Sequence, residues 1–180
     1  MKYVITGKPG VGKSTLFNAI IEVLKKNGFN VGGIIAPEVR ENGVRVGFKV
    51  INLLTSEETW LARKDFSSHV KVGSYGVLVH EANELVKKAI LNALGEADVI
   101  AIDEVGPMEL KLPSFKPLLL KALDSGKPVI AVIHYRLSDR EILLKLETSE
   151  RIVVSVENRE YMRKTIPEKI LKELKSTSRS

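Results

Sequence analysis

Residues 7–14 read Gly-Lys-Pro-Gly-Val-Gly-Lys-Ser and fit the pattern G-x-x-x-x-G-K-[ST] at every position. A β-prone run, Tyr3–Thr6, precedes this stretch, and residues 14–27 follow it with apolar side chains at helical spacing. Glycines allow the backbone of such a loop to point successive N–H groups into one concavity, where they bind phosphate oxygens. The start of the following helix adds partial positive charge. The stretch therefore predicts a phosphate-binding loop within an α/β fold.

Each residue type in this loop has a chemical reason. Lys13 is a mobile cation suited to the β- and γ-phosphates of a nucleotide, and the Ser14 hydroxyl is placed to bind Mg²⁺. Thr15 is expected near the α-phosphate, whereas Lys8 is either a second phosphate contact or a solvated side chain. The predicted nucleotide-binding residues of the loop are Gly7, Lys8, Pro9, Gly10, Val11, Gly12, Lys13, Ser14 and Thr15.

A second motif, Val-Ile-Ala-Ile-Asp-Glu at residues 99–104, is an apolar run that ends in two carboxylates. Such a run is typical of a strand buried on both faces of a parallel sheet. Asp103, at the carboxyl end of that strand, would hold Mg²⁺ beside Ser14. Glu104 either deprotonates a water for attack on the γ-phosphate or is a solvated acid just past the strand. This segment adds to the predicted nucleotide-binding residues Asp103, Glu104, Val105 and Gly106.

The rest of the chain alternates short β-prone runs with helical runs, which predicts a mainly parallel sheet covered by helices on both faces. Asn42-Gly43 lies between two β-prone runs and is a strong signal for a two-residue hairpin turn. We therefore expect a three-layer α/β/α sandwich of the P-loop NTPase type with a β-hairpin inserted at residues 37–54. One domain is expected over residues 1–175, with a short polar tail at 176–180.

Three local features complete the prediction of secondary structure. Gly95 is expected to end a helix that covers residues 77–94, because glycine tolerates the conformation of a C-terminal cap. Thr165-Ile166-Pro167-Glu168 reads as a capping box that starts the last helix. Residues 55–76 show no regular pattern, so no element is predicted there.

Composition excludes several classes of function. The 180 residues include no cysteine, which excludes disulfides, thiolate metal sites and a cysteine nucleophile. The formal net charge is +6, and most of this excess lies in residues 159–180, where Tyr161 is the only aromatic residue. Because nucleic-acid-binding surfaces interleave basic and aromatic residues, we do not expect a nucleic-acid partner. The lack of glutamine and cysteine together with many lysines and glutamates suggests the hypothesis of a thermophilic source.

The apolar runs are far shorter than the roughly 20 residues that a membrane helix needs, and the first residues do not form a signal peptide. We therefore expect a cytoplasmic protein that makes no membrane contact. A monomer is expected, with an oligomer left open.

Further candidate residues follow the other predicted strands. His134 either senses the γ-phosphate or is a buried, hydrogen-bonded side chain. Arg136 and Arg140 either stabilise the charge of a transition state or lie on the surface. Asn158 and Arg159 follow the last strand, where a nucleobase often lies. Hairpin residues that either cover the mouth of the site or are structural are Glu38, Arg40, Arg45, Phe48 and Lys49.

Other classes of nucleotide-binding protein compete with simple hydrolysis. The segment Asp103-x-x-Gly106 fits the D-x-x-G motif of small GTPases, but the chain has no Asn-Lys-x-Asp element. A nucleotide or nucleoside kinase needs an acceptor pocket and an arginine-rich lid, and the chain is too short for a long lid between the strands at 128–134 and 151–156. An ATPase module acting on nucleic acid would use the same Asp-Glu pair. The kinase and the nucleic-acid ATPase remain the alternatives.

Four stretches of the chain resemble the THEP1-like nucleoside-triphosphatases, and His134 and Asn158-Arg159 fit as well, so the resemblance spans nearly the whole chain. The four stretches are the loop at 7–14, the hairpin at 38–48, Tyr75-Gly76-Val77, and Asp-Glu-Val-Gly-Pro-Met-Glu-Leu at 103–110. The last stretch and the Arg-Val-Gly-Phe of the hairpin are the most specific. Ser56 departs from the pattern, since the family has glycine there.

The resemblance implies an enzyme of archaeal or bacterial type that hydrolyses ATP, GTP and other nucleoside triphosphates to the diphosphate and phosphate. It implies Mg²⁺ as the cofactor and little discrimination between bases. It also implies a RecA-like sheet in which another strand separates the strand of Asp103 and Glu104 from the strand before the loop. Taken with the residues, it predicts Glu104 and Lys13 as catalytic residues and Ser14 and Asp103 as metal ligands.

Overall fold

The computed structural model describes residues 1–177, and a ten-stranded sheet with helices on both faces dominates it. The strands are β1 (Lys2–Thr6), β2 (Val31–Ile35), β3 (Glu38–Glu41), β4 (Val44–Asn52), β5 (Glu58–Arg63), β6 (Lys71–Val72), β7 (Tyr75–Val77), β8 (Val99–Val105), β9 (Val129–Ile133) and β10 (Glu150–Val153). The helices are α1 (Lys13–Lys26), α2 (Val79–Glu96), α3 (Phe115–Asp124), α4 (Arg140–Lys145) and α5 (Arg159–Thr177), with a 3₁₀ turn at Glu109–Lys111.

The order of the strands confirms the predicted α/β fold. The sheet runs β10-β1-β9-β8-β2-β4-β5-β7-β6, with β3 paired to β4. The first five strands of this order pair in parallel, and the remaining pairs are antiparallel. Strand β9 separates β1 from β8, as the resemblance implied. The carboxyl ends of β1, β8 and β9 therefore lie side by side at one edge of the sheet, where ligands bind in folds of this type.

Two apolar cores hold the layers together, because successive side chains of a strand point to opposite faces of the sheet. Ile100 and Ile102 pack toward α2 and α3, whereas Val99 and Ala101 pack toward α1 and α5. All four side chains are fully buried. Strand β8, which carries the two carboxylates at its end, is thus fixed from both faces.

The predicted hairpin is confirmed as the antiparallel pair β3–β4. Its turn residues Asn42 and Gly43 have φ values of 49° and 78°, the positive values that a type I′ turn requires. The neighbouring segment, for which no element was predicted, contains β5, β6 and β7, which extend the sheet beyond β4. Ser56, the residue that departs from the pattern of the resemblance, also has a positive φ of 63°, a conformation that glycine adopts without strain.

The prediction for the last helix was wrong at its start. Helix α5 begins at Arg159 and continues through Pro167. The hydroxyl of Thr165 donates to the carbonyl of Tyr161 at 3.0 Å, as a side chain within a helix does. Ser155 and Asn158 form the reciprocal pair in the turn before this helix. The Ser155 N–H donates to Asn158 Oδ1 at 2.8 Å, and the Asn158 N–H donates to Ser155 Oγ at 3.3 Å. The capping box therefore lies ten residues earlier than predicted.

Two other predicted boundaries also move. Gly95 lies inside α2, which ends at Glu96, so glycine does not cap this helix. Helix α5 includes Ser176 and Thr177, the first two residues of the predicted tail. The rest of that tail, 178–180, lies outside the described residues.

No helix within residues 1–177 is long and apolar enough to cross a membrane.

A substitution pair tests how tightly the sheet is packed. A Cβ added at Gly33 in β2 would lie 1.9 Å from the carbonyl oxygen of Ala101, and the φ of Gly33 is 126°. Because both strands are central, we expect Gly33→Ala to lower the free energy of unfolding by more than about 3 kcal/mol. A Cβ added at Gly95 meets nothing within 4 Å, so Gly95→Ala should raise the free energy of unfolding by about 0.5–1 kcal/mol. Denaturant unfolding measures both, and equal stability of the two variants would contradict the packing described.

Candidate functional site

The loop between β1 and α1 has the backbone that a phosphate site requires. Gly12 immediately precedes α1 with a φ of 107°, in the left-handed region. The Leu16 N–H donates to the Gly12 carbonyl at 3.0 Å, which begins the hydrogen bonding of the helix. Helix α1 has no acidic residue in its first turn, so the positive end of its dipole faces the loop uncompensated by its own side chains.

Two side chains at the start of α1 lie close enough to the strand with the acidic pair to affect the pKa of Asp103. The Lys13 ammonium donates to the carbonyls of Gly7 and Lys8, both at 2.9 Å, and is thereby folded over the loop. The Ser14 hydroxyl lies close enough to the Asp103 carboxylate to lower the pKa of that carboxyl. The structure thus brings together Lys13, Ser14 and Asp103, which the sequence predicted to act on one substrate.

Asp103 and Glu104 occupy the end of β8, joined by a cis peptide bond. Burial raises the pKa of Asp103 to about 6; the Ser14 hydroxyl lowers this pKa, the Glu104 charge raises it and Lys13 lowers it. Burial also raises the pKa of Glu104, and the Lys13 charge opposes that rise. A carboxylate whose pKa is raised by burial is a stronger base than an exposed one, which suits Glu104 to proton abstraction.

Glu109 is a third carboxyl group in this region, and the sequence reasoning did not single it out. Its exposed fraction is only 4%. The backbone N–H groups of Glu109 and Gly106 lower the pKa of this carboxyl group, and no ion pair is formed with it within residues 1–177. A Cβ added at Gly106 would lie 2.7 Å from Glu104 Oε1 and 3.0 Å from Glu109 Oε2. The two glutamates therefore flank the same glycine.

Glu109 gives the protein a specific pH dependence. Burial and the nearby Glu104 charge raise its pKa to about 8, from an ordinary value of 4.5. The folded protein therefore retains this proton between pH 4.5 and 8, whereas the unfolded chain releases it, so stability falls as the pH rises through this window. We expect Glu109→Gln to be more stable than the parent above pH 8, by on the order of a few kcal/mol, and equally stable below pH 4.5. Denaturant unfolding at pH 4.5 and 8.5 measures this difference, and a gain that is the same at both pH values would contradict it.

His134 follows β9 and lines the same cleft. Its Nδ1 accepts from the backbone N–H of Arg136 at 3.2 Å, so the proton of the neutral ring is on Nε2. Burial lowers the pKa of His134, as do the charges of Lys13 and Arg136. The neutral ring is thereby favoured and can donate one hydrogen bond from Nε2.

The remaining predicted residues lie farther from this centre. Arg136 and Arg140 are exposed and do not line the cleft, and the Arg136 guanidinium lies 5.0 Å from the Tyr135 ring centroid. Asn158 uses its side chain for backbone hydrogen bonds to Ser155 and Val153. Arg159 Cδ lies 3.6 Å from the point where a Cβ of Gly12 would stand, so its side chain covers the loop.

These residues border a cleft of about 990 Å³. Predicted site residues among its lining are Pro9, Gly10, Gly12, Lys13, Ser14, Thr15, Asp103, Glu104 and His134. Four of the five predicted hairpin residues also line it: Glu38, Arg40, Arg45 and Phe48. Lys49 does not line the cleft; it pairs with Glu58 and lies near Trp60. The predicted residues that are not part of the lining are Gly7, Lys8, Val11, Lys49, Val105, Gly106, Arg136, Arg140, Asn158 and Arg159.

The donor set fits a hard divalent cation that shares its coordination with a ligand. Ser14 and Asp103 provide a hydroxyl and a carboxylate oxygen that line the same cleft, close enough for Ser14 to lower the pKa of Asp103. No group of three or more His, Asp or Glu side chains within residues 1–177 could hold a metal by itself. A pair of protein oxygens completed by phosphate oxygens and water is the arrangement that Mg²⁺ favours at phosphate sites.

Comparison with known proteins gives consistent results. A family model described as NTPase matches residues 2–171. The chain is 40% identical over 174 residues to nucleoside-triphosphatase THEP1 of Saccharolobus solfataricus, covering 97% of this chain and 95% of that protein. It is 42% identical over 176 residues to nucleoside-triphosphatase THEP1 of Methanocaldococcus jannaschii, covering 97% and 100%.

Solved structures agree with these relatives. The crystal structure of THEP1 from the hyperthermophile Aquifex aeolicus superposes with a TM-score of 0.80 at 33% identity, covering 97% of this chain and 99% of that one. The solution structure of a human cancer-related nucleoside triphosphatase superposes with a TM-score of 0.78 at 28% identity, covering 94% and 96%. The chain therefore belongs to the NTPase family that contains the THEP1 nucleoside-triphosphatases.

Proposed function

We propose that this chain hydrolyses nucleoside triphosphates to the diphosphate and inorganic phosphate in a Mg²⁺-dependent reaction. The observation that carries the proposal is the convergence of Lys13, Ser14, Asp103 and Glu104 on one cleft. The names of the relatives support the same activity.

The loop and Lys13 account for substrate binding. Backbone N–H groups of residues 7–14 other than Pro9 would surround the phosphates, and the start of α1 favours negative charge there. In the free protein the Lys13 ammonium donates to two loop carbonyls, which hold it over the loop. When a triphosphate binds, this ammonium exchanges its carbonyl partners for phosphate oxygens. Ser14 and Asp103 would hold Mg²⁺, which neutralises charge on the phosphates when bound.

Glu104 is the general base in this proposal. Its carboxylate takes a proton from a water as the water oxygen attacks the γ-phosphorus, and the bond from that phosphorus to the β,γ-bridging oxygen breaks. Burial makes Glu104 more basic than an exposed glutamate. His134 can donate a hydrogen bond from Nε2 to a γ-phosphate oxygen, while Lys13 offsets the developing charge. Glu109 flanks Gly106 together with Glu104 and lines the same cleft.

Two further properties belong to this proposal. We infer that the protein acts in the cytoplasm as a monomer. The resemblance to the THEP1-like nucleoside-triphosphatases implies little discrimination between bases, so we infer that ATP, GTP, CTP and UTP are all substrates.

Phosphate release tests the proposal. The protein is incubated with each of four nucleoside triphosphates, in Mg²⁺ and in excess EDTA. We expect phosphate release from all four in Mg²⁺ and its loss in EDTA. Parallel samples with added nucleosides or single-stranded DNA and RNA test the kinase and the nucleic-acid ATPase. If the γ-phosphoryl group is transferred to a nucleoside faster than it is released as phosphate, the kinase function replaces hydrolysis. Many-fold stimulation of phosphate release by DNA or RNA would favour the ATPase module that acts on nucleic acid.

A further inference from the structure

The cleft extends beyond the reacting groups. Its volume of about 990 Å³ is at the upper end of the roughly 300–1,000 Å³ of small-molecule sites. One end is formed by the phosphate loop and the carboxylates of β8. The other end, here named the hairpin lobe, is lined by Arg40, Arg45, Phe48, Ser74, Tyr75 and Met108.

The strand order places the hairpin lobe on the γ-phosphate side of the loop. From β1, which precedes the loop, the sheet continues through β9 and β8 to β2 and β4. With a spacing of about 4.8 Å per strand, β4 lies roughly 10 Å beyond the strand of Glu104. Arg159, which covers Gly12, follows β10 on the opposite side of β1. A triphosphate whose γ-phosphate faces Glu104 therefore directs its ribose and base away from the hairpin lobe.

The hairpin lobe offers aromatic faces. The rings of Phe48 and Tyr75 pack edge to face with centroids 5.3 Å apart. The Arg45 guanidinium lies 5.5 Å from the Phe48 ring centroid, and the Lys64 ammonium lies 5.6 Å from that of Tyr75. Both rings are only half-buried. Such rings with adjacent cations stack on planar heteroaromatic ligands.

The hairpin lobe also carries positive charge that its own carboxylate does not neutralise. Arg40 and Arg45 share a single carboxylate, that of Glu38, at 2.6 and 2.5 Å. Arg45 Nε is buried and has no hydrogen-bond partner within residues 1–177. Two guanidinium groups against one carboxylate leave a net positive charge, and guanidinium is the side chain best suited to bind phosphate.

We propose that the hairpin lobe is a second nucleotide subsite, which binds a nucleoside monophosphate while a triphosphate occupies the phosphate loop. The base stacks on Phe48 and Tyr75, and its phosphate is held by Arg45 and Arg40. This proposal depends on the proposed function in one respect: it assumes that the triphosphate in the phosphate loop has its γ-phosphate toward Glu104.

The test is a binding titration on protein whose phosphate loop is saturated with a non-hydrolysable triphosphate analogue and Mg²⁺. AMP, GMP, CMP and UMP are titrated by calorimetry, with guanosine and inorganic phosphate as separate arms. We expect one monophosphate per chain, with each separate arm binding at least tenfold more weakly. Phe48→Leu and Arg45→Gln should each weaken monophosphate binding at least tenfold.

Trp60→Leu is the matched control. Trp60 lies on the neighbouring strand β5 with Arg63 and Lys49 at 4.4 and 5.6 Å from its ring, but it does not line the cleft. This variant should bind the monophosphate as the parent does. The inference is overturned if the monophosphate does not bind the saturated protein, if phosphate alone binds as tightly, or if Phe48→Leu and Arg45→Gln bind normally.

Hydrolysis of the triphosphate by the unsubstituted protein is measured in parallel without monophosphate. Hydrolysis without binding of the monophosphate would overturn this inference and leave the proposed function intact. Binding of the monophosphate at the hairpin lobe without hydrolysis of the triphosphate would overturn the proposed function and leave this inference intact.

Discussion

Glu104→Gln is expected to bind nucleoside triphosphates with unchanged affinity and to hydrolyse them about 10²–10⁴-fold more slowly. The amide retains the size of the side chain but cannot accept the proton of the attacking water. The phosphate loop, Lys13 and Ser14 are untouched, so the ground-state contacts remain. Equilibrium binding of a fluorescent triphosphate and single-turnover hydrolysis together measure the two effects.

The control for this prediction is Glu84→Gln. Glu84 is an exposed glutamate of α2 that does not line the cleft, and the substitution makes the same change of charge. It should leave both binding and hydrolysis unchanged. Near-parental hydrolysis by Glu104→Gln would eliminate Glu104 as the base.

Lys13→Ala is expected to lose affinity for the triphosphate as well as turnover. Hydrogen bonds to charged groups contribute about 1.5–3 kcal/mol each, so the loss of this ammonium should weaken binding by about 10- to 150-fold. Turnover should fall further, because Lys13 also offsets charge that develops on the γ-phosphate. Titration with the same fluorescent triphosphate measures the affinity, and steady-state phosphate release measures kcat.

Lys25→Ala provides the matched control on the same helix. Lys25 is exposed near the far end of α1. Its substitution by alanine removes the same charge as Lys13→Ala but leaves the phosphate loop unchanged. Parental affinity is expected for this variant. If Lys13→Ala also bound with parental affinity, the loop amides alone would account for binding, and the assigned role of Lys13 would be wrong.

Local signals were sufficient for the parts of the fold that carry the phosphate loop. The spacing of Gly7, Gly12 and Lys13 requires a strand before the loop and a helix after it, and both are present. Asn42-Gly43 determined the hairpin by its backbone conformation alone. The continuous apolar run before Asp103 marked a strand buried on both faces. Each of these features follows from a few adjacent residues, so the sequence was enough.

Features that depend on contacts distant in sequence were not predicted. Gly95 can remain helical because α2 gains its stability from the buried face that includes Ala89 and Ala93. Pro167 is tolerated inside α5 because the helix packs along α1 through Ile170 and Leu174. Strands β5 to β7 form because β4 offers them an edge, which residues 55–76 do not reveal by their own pattern.

The candidate site divides in the same way. Lys13, Ser14, Asp103 and Glu104, which line one cleft, could be predicted because motif and chemistry coincide at each position. Glu109 was missed because its importance comes from burial beside Glu104, which only the folded chain creates. The one available signal was its place in the Gly-Pro-Met-Glu segment directly after the acidic pair, where a charged residue stands among apolar ones.

Hydrolysis in H₂¹⁸O tests the central claim most directly, because it reports which phosphorus the water attacks. The protein is incubated with ATP and Mg²⁺ in labelled water, and both products are analysed by mass spectrometry. Attack on the γ-phosphorus with Glu104 as base predicts one ¹⁸O atom in each released phosphate and none in ADP. Label in ADP, or phosphate released without label, would contradict the account.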